Sequence, residues 1–201
     1  MLDKKSVISP KSMGICAVIG TVISVVGMHS IPVIADEGVC GFHLEGRFVE
    51  SAPRDSFVFS NQSNELWNII SIRIDMNESA GNLLFDTLDG GDGVEVYQPF
   101  EVSSRYGASG EAKLSFIPTL ADGDQDITLN FSQFPPESKF SFTIDVDDQL
   151  TESELGQIRV SGGEISGSVL SVTLDVPEAE NVTLEGVYSS QSIVSISSSD
   201  C

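Results

Sequence analysis

The feature that most constrains the fold is a strict alternation of apolar and polar side chains. In Phe140-Ser141-Phe142-Thr143-Ile144-Asp145-Val146-Asp147 every second residue is apolar. Successive side chains of an extended strand point to opposite faces, whereas helical side chains return to one face every 3 to 4 residues. The run therefore reads as a strand with one face in a core. The same period recurs in Ile127, Leu129 and Phe131 against Asp126, Thr128 and Asn130, and in Ile70, Ile72 and Ile74 against Ser71, Arg73 and Asp75. Further strand segments are Phe42 to Val49, Ser56 to Ser60, Leu83 to Asp86, Val94 to Val102, Lys113 to Ile117, Gln157 to Val160, Ser168 to Val176 and Val182 to Tyr188.

Turn residues punctuate these runs: Asp89-Gly90-Gly91-Asp92-Gly93, Asp122-Gly123, Pro135-Pro136 and Ser161-Gly162-Gly163. Short strands at this spacing predict an all-β chain, an antiparallel sandwich or jelly roll of about ten strands. Thr151 and Glu154 have the spacing of a capping box, but Gly156 cuts a helix off after about one turn, so a turn is expected there. Within the Ser-rich stretch from Ser189 to Ser199, Ile193, Val194 and Ile196 predict an edge strand.

Ahead of the β pattern, Lys4, Lys5 and Lys11 precede an almost uncharged apolar run from Met13 to Met28, and Val33 and Ala35 occupy the −3 and −1 positions of a signal-peptidase site. The run falls short of the ~20 apolar residues a spanning helix requires. We expect a signal peptide over 1–35 and a single secreted domain over 36–201. The expected location is extracellular or periplasmic, with no stable membrane insertion after cleavage. Removing the leader takes Cys16 and leaves two cysteines, Cys40 and Cys201, which an oxidising compartment would join across nearly the whole domain.

Thirty acidic against ten basic residues give a net charge of −20. Such a surface repels nucleic acid and anionic membranes and attracts hard cations, calcium above all outside a cell. Three acidic runs are candidate ligand sets. Asp86, Asp89 and Asp92 are interleaved with glycines that let carbonyls and carboxylates converge. Asp122, Asp124 and Asp126 alternate as in the first half of many calcium loops, but Ile127 and Gln133 stand where an EF-hand needs Gly and Glu. Asp145 and Asp147 should lie about 7 Å apart on one strand face, with Asp148 entering the turn. That crowding costs electrostatic energy unless a cation relieves it.

Paired carboxylates also open the alternative of a carbohydrate-active enzyme. A nucleophilic triad is not expected: His43 is the one histidine after cleavage, and no G-x-S-x-G elbow is present. Zinc would need several His or Cys ligands. Trp67, Tyr97, Tyr106 and Tyr188 read first as core residues and second as a platform for sugars.

At Gly93-Val94-Glu95-Val96-Tyr97-Gln98-Pro99-Phe100 and at Phe140 to Asp148 the chain resembles small secreted bacterial proteins of the aggregation-factor-core-like group. The resemblance covers most of residues 42–188 and implies an extracellular β-rich domain, with calcium-dependent, carbohydrate-linked adhesion as the analogy and no catalytic residues. The expectation is a non-enzymatic binding or adhesion module, calcium-stabilised, whose partner is an extracellular glycan or protein. The alternatives are the carbohydrate-active enzyme and a purely structural envelope or matrix protein.

Overall fold

The computed structural model describes residues 41–51, 54–64, 67–93, 96–107, 111–149, 162–176 and 180–198. Among the described residues eleven strands follow one another: β1 (His43–Val49), β2 (Asp55–Asn61), β3 (Asn68–Asp75), β4 (Leu84–Asp86), β5 (Glu101–Ser103), β6 (Lys113–Leu114), β7 (Asp126–Gln133), β8 (Lys139–Asp147), β9 (Val169–Asp175), β10 (Val182–Val187) and β11 (Ile193–Ser197). They form two antiparallel sheets. One runs β11-β1-β2-β8, and the outer edge of β8 is shared by β5 along Ser141 to Thr143 and by β4 along Asp145 to Asp147. The other runs β10-β9-β3-β7-β6.

The alternation decides what the sheets bury between them. Phe140, Phe142, Ile144 and Val146 of β8 face inward with Phe57 and Phe59 of β2, against Ile127, Leu129 and Phe131 of β7 and Leu170, Val172 and Leu174 of β9. Phe131 meets Phe140 edge-on at 5.0 Å across the two sheets, and within one sheet Phe142 stacks on its cross-strand partner Phe57 at 5.1 Å. This is the expected sandwich, including the edge strand over Ile193, Val194 and Ile196.

Three local expectations differ from the structure. In β3 a register shift between Ile69 and Ser71 turns Ile69 into the core and leaves Ile70 half-buried, because a bulge resets which residues share a face. Among its described residues, the run from Val94 to Val102 contributes strand only from Glu101 onward, in β5, and Val94 and Glu95 lie outside the described residues. Pro99 has no N–H to give a ladder, and Gln98 bridges the chain instead. Lys113 to Ile117 contributes strand only at Lys113–Leu114, with a register shift between the two residues. Residues 1–40, the turn at 151–156, the strand at 157–160, and Cys40 and Cys201 lie outside the described residues.

Candidate metal centre

The inward phenylalanines of β8 dictate that Ser141, Thr143, Asp145 and Asp147 point to the opposite face. At the far end of that face β4 lies alongside, with Asp86 opposite Asp145 and Leu84 opposite Asp147. One cross-strand pair and one i, i+2 pair thus place three carboxyl groups together. Asp86, Asp145 and Asp147 each offer an oxygen within 4.8 Å of the other two. They are 3, 4 and 7 % exposed, so the group is withdrawn from bulk water.

Asp86 is covered by the chain that leaves β4. Gly93 returns so close over the Asp86 carboxyl that a Cβ there would collide with it. The Gln98 backbone then locks both strands, its N–H donating to the Asp86 carbonyl at 3.3 Å and its carbonyl accepting from the Asp145 N–H at 3.0 Å.

The second acidic run meets the first through Asp122. Its Oδ1 accepts the backbone N–H groups of Thr87 and Leu88 at 2.6 and 3.0 Å, and its Oδ2 accepts that of Asp92 at 2.6 Å. Gly91 leaves room for the Asp122 carboxyl, and Gly123, with φ at +79°, lies against that of Asp92. Backbone bonds join the two loops, from Phe85 N–H to the Asp124 carbonyl and from Gly123 N–H to the Phe85 carbonyl. Asp124 turns its Oδ2 to the Ala121 N–H at 2.7 Å. Asp89 and Asp92 are exposed, Asp148 is buried just beyond Asp147, and Asp126 lies on the other sheet, 3.1 Å from Arg73, which also pairs with Asp75 at 2.8 Å.

One acid of this region went unread in the sequence. Asp55 opens β2 and is 2 % exposed. Its oxygens accept the Ser51 N–H at 2.8 Å and the Val146 N–H at 3.1 Å. Its phase was the available signal, because Asp55 shares parity with the inward Phe57 and Phe59.

Electrostatics follow from burial. Asp145 is pushed up to about 8, first by loss of water and then by the charges of Asp147, Asp55 and Asp86. Asp55 rises to about 7, again by burial, with Glu50 and Asp147 adding to it and its two backbone donors opposing. Asp86 is raised by burial and by the Asp122 charge, and it shares side-chain hydrogen bonds with Asp147 and Asp122. Burial also pushes Asp122 upward, but its backbone donors outweigh that and hold it below the usual carboxylate range. Without a cation Asp145 therefore keeps its proton at neutral pH.

The donor set is all oxygen and anionic. Calcium binds oxygens at about 2.3–2.6 Å, so donors on opposite sides of one ion stand up to about 5 Å apart, and the three acids fall within that span. Thiolate and imidazole, the ligands that select zinc or copper, take no part. His43 hydrogen-bonds Ser197 Oγ at 2.7 Å on β1 and β11. Of the four aromatic residues read as core or platform, Tyr188 is fully buried and Trp67 packs half-buried on the core, while Tyr97 and Tyr106 are exposed. No protein family, curated protein or solved structure matches the chain.

Proposed function

We propose that the protein is a secreted, non-enzymatic binding or adhesion module whose fold is stabilised by calcium held between Asp86, Asp145 and Asp147. The observation that carries this reading is three buried carboxyl groups with oxygens within 4.8 Å of one another. A bound dication offsets the repulsion and desolvation that otherwise force protons onto the cluster. Asp122 serves as the anchor that holds the covering loop in place.

The same burial speaks against the carbohydrate-active alternative. A glycosidase acid must reach a sugar, and its partner stands about 5–5.5 Å or about 6.5–9.5 Å away across the substrate. Carboxyls 3 to 7 % exposed beneath their own loop offer no such cleft. The partner of the module is an extracellular glycan or protein. A disulfide between Cys40 and Cys201 belongs to the same reading, since β1 and β11 pair His43 with Ser197 and bond Phe42 to Ser198.

Thermal melts with millimolar calcium and with chelator test the proposal. Calcium at about 100 times its dissociation constant adds about 2.7 kcal/mol, or roughly 5–10 °C in a domain of this size. The Asp145→Asn/Asp147→Asn variant should lose that shift and melt above the wild type in chelator. A calcium shift of zero in the wild type would leave the purely structural reading standing.

A further inference from the structure

The acidic surface is interrupted along one edge of the sandwich. Among the described residues nine large apolar side chains are exposed, and six of them, Val96, Tyr97, Val102, Tyr106, Phe116 and Ile117, fall between positions 96 and 117. This stretch crosses from β5, on the edge of one sheet, to β6, on the edge of the other. At the opposite edge the sandwich closes, with Gly186 of β10 packed against Val194 and Ile196 of β11.

Two details show that the exposure is built in. Val102 stands opposite Phe142, in phase with the core, yet is 54 % exposed, because among the described residues no further strand lies beyond it. Tyr106 is held at a φ of 59°, a left-handed conformation that costs a bulky residue energy. The turn that holds it is tied to the sheet: the buried Ser141 hydroxyl lies 2.9 Å from the Ser103 carbonyl and 3.1 Å from that of Arg105, and the Arg105 N–H donates to Ser103 Oγ.

Charge indicates what this edge meets. Residues 96–117 contain two acids, Glu101 and Glu111, and two bases, Arg105 and Lys113, so all of the chain's net −20 is carried elsewhere. Two copies of so acidic a body repel one another least where they meet through a patch without net charge. A two-fold contact at such a patch can set the acids of one copy against the bases of the other. β5 and β6 are too short to extend a sheet far, which leaves side chains as the means of contact.

We propose that the β5–β6 edge is a self-association surface, occupied by the same edge of a second copy of this chain. The inference is independent of the calcium reading.

Sedimentation equilibrium of the full chain over a concentration series, at low and high salt, tests it. A monomer–dimer equilibrium that tightens with salt is expected, because salt screens the repulsion between the acidic remainders, whereas an oppositely charged partner would be released. Val102→Glu and Phe116→Glu should each weaken association about tenfold or more while leaving the calcium-induced melting shift as in the wild type. A monomer at every concentration, as expected if a glycan or foreign protein is the occupant, overturns the proposal, and so does a dimer that neither substitution weakens. Amide exchange of the unsubstituted chain reads the same surface without a variant. Protection at 96–107 and 111–117 that grows with concentration supports the contact, and protection that does not change overturns it.

Discussion

Asp145 shows how much one side chain depends on its surroundings. Its carboxyl titrates near 8 in the folded chain against 3.8 ordinarily, and Asp55 titrates near 7. Between these limits the folded state holds protons that the unfolded state has released, so stability falls as pH rises. The penalty is absent below about pH 4 and complete above about pH 8. In chelator, the unfolding free energy from urea denaturation should therefore be lower at pH 8 than at pH 5, by several kcal/mol for the two acids together. Calcium should flatten this slope, because it stabilises the charged form of the cluster. Equal free energies at the two pH values in chelator would mean that the acids are better solvated than their burial indicates.

Single elements separate residues that look alike in the sequence. Asp122, Asp124 and Asp126 form one alternating run, but β7 begins at Asp126 and carries it to the outer face of its sheet beside Arg73. Asp122 stays in the loop and gathers three backbone N–H groups. Asp126→Asn should leave the calcium shift unchanged and cost at most about 1 kcal/mol, the range of an exposed ion pair. Asp122→Asn should cost about 2 kcal/mol and weaken calcium binding, since it weakens charge-assisted bonds that hold the covering loop. Chemical denaturation and calcium titration of both variants check the difference. At this scale the long alternating strands were legible from sequence because each side chain reports its own face. β5 and β6 were not, because Pro99 and a register shift shorten them against an unchanged apolar pattern.

The whole molecule adds pairing between distant segments. β1 and β11 run antiparallel from His43 opposite Ser197, and Phe42 and Ser198 bond backbone to backbone and backbone to side chain. Cys40 and Cys201 follow within three residues of that last pair. Peptide mapping without reductant should recover the two cysteines linked, and reduction should lower stability by about 4 kcal/mol. Two free thiols on alkylation of the native chain would refute the link.

The sequence alone determined the fold class, the polar face on which β7 puts Asp126 and β8 puts Asp145 and Asp147, and the crowding of the last two, because the two-residue period of a strand is a local property of the backbone. Only the tertiary structure decided that Asp86 stands opposite Asp145, that Asp122 anchors the loop beside them, that Asp126 belongs to another sheet, and that Asp55 joins the region. Those outcomes depend on which strand becomes the neighbour of β8, and that choice is made by the packing of the two sheets around Phe57, Phe140 and Phe142, which sets Asp86 beside acids far along the chain from it.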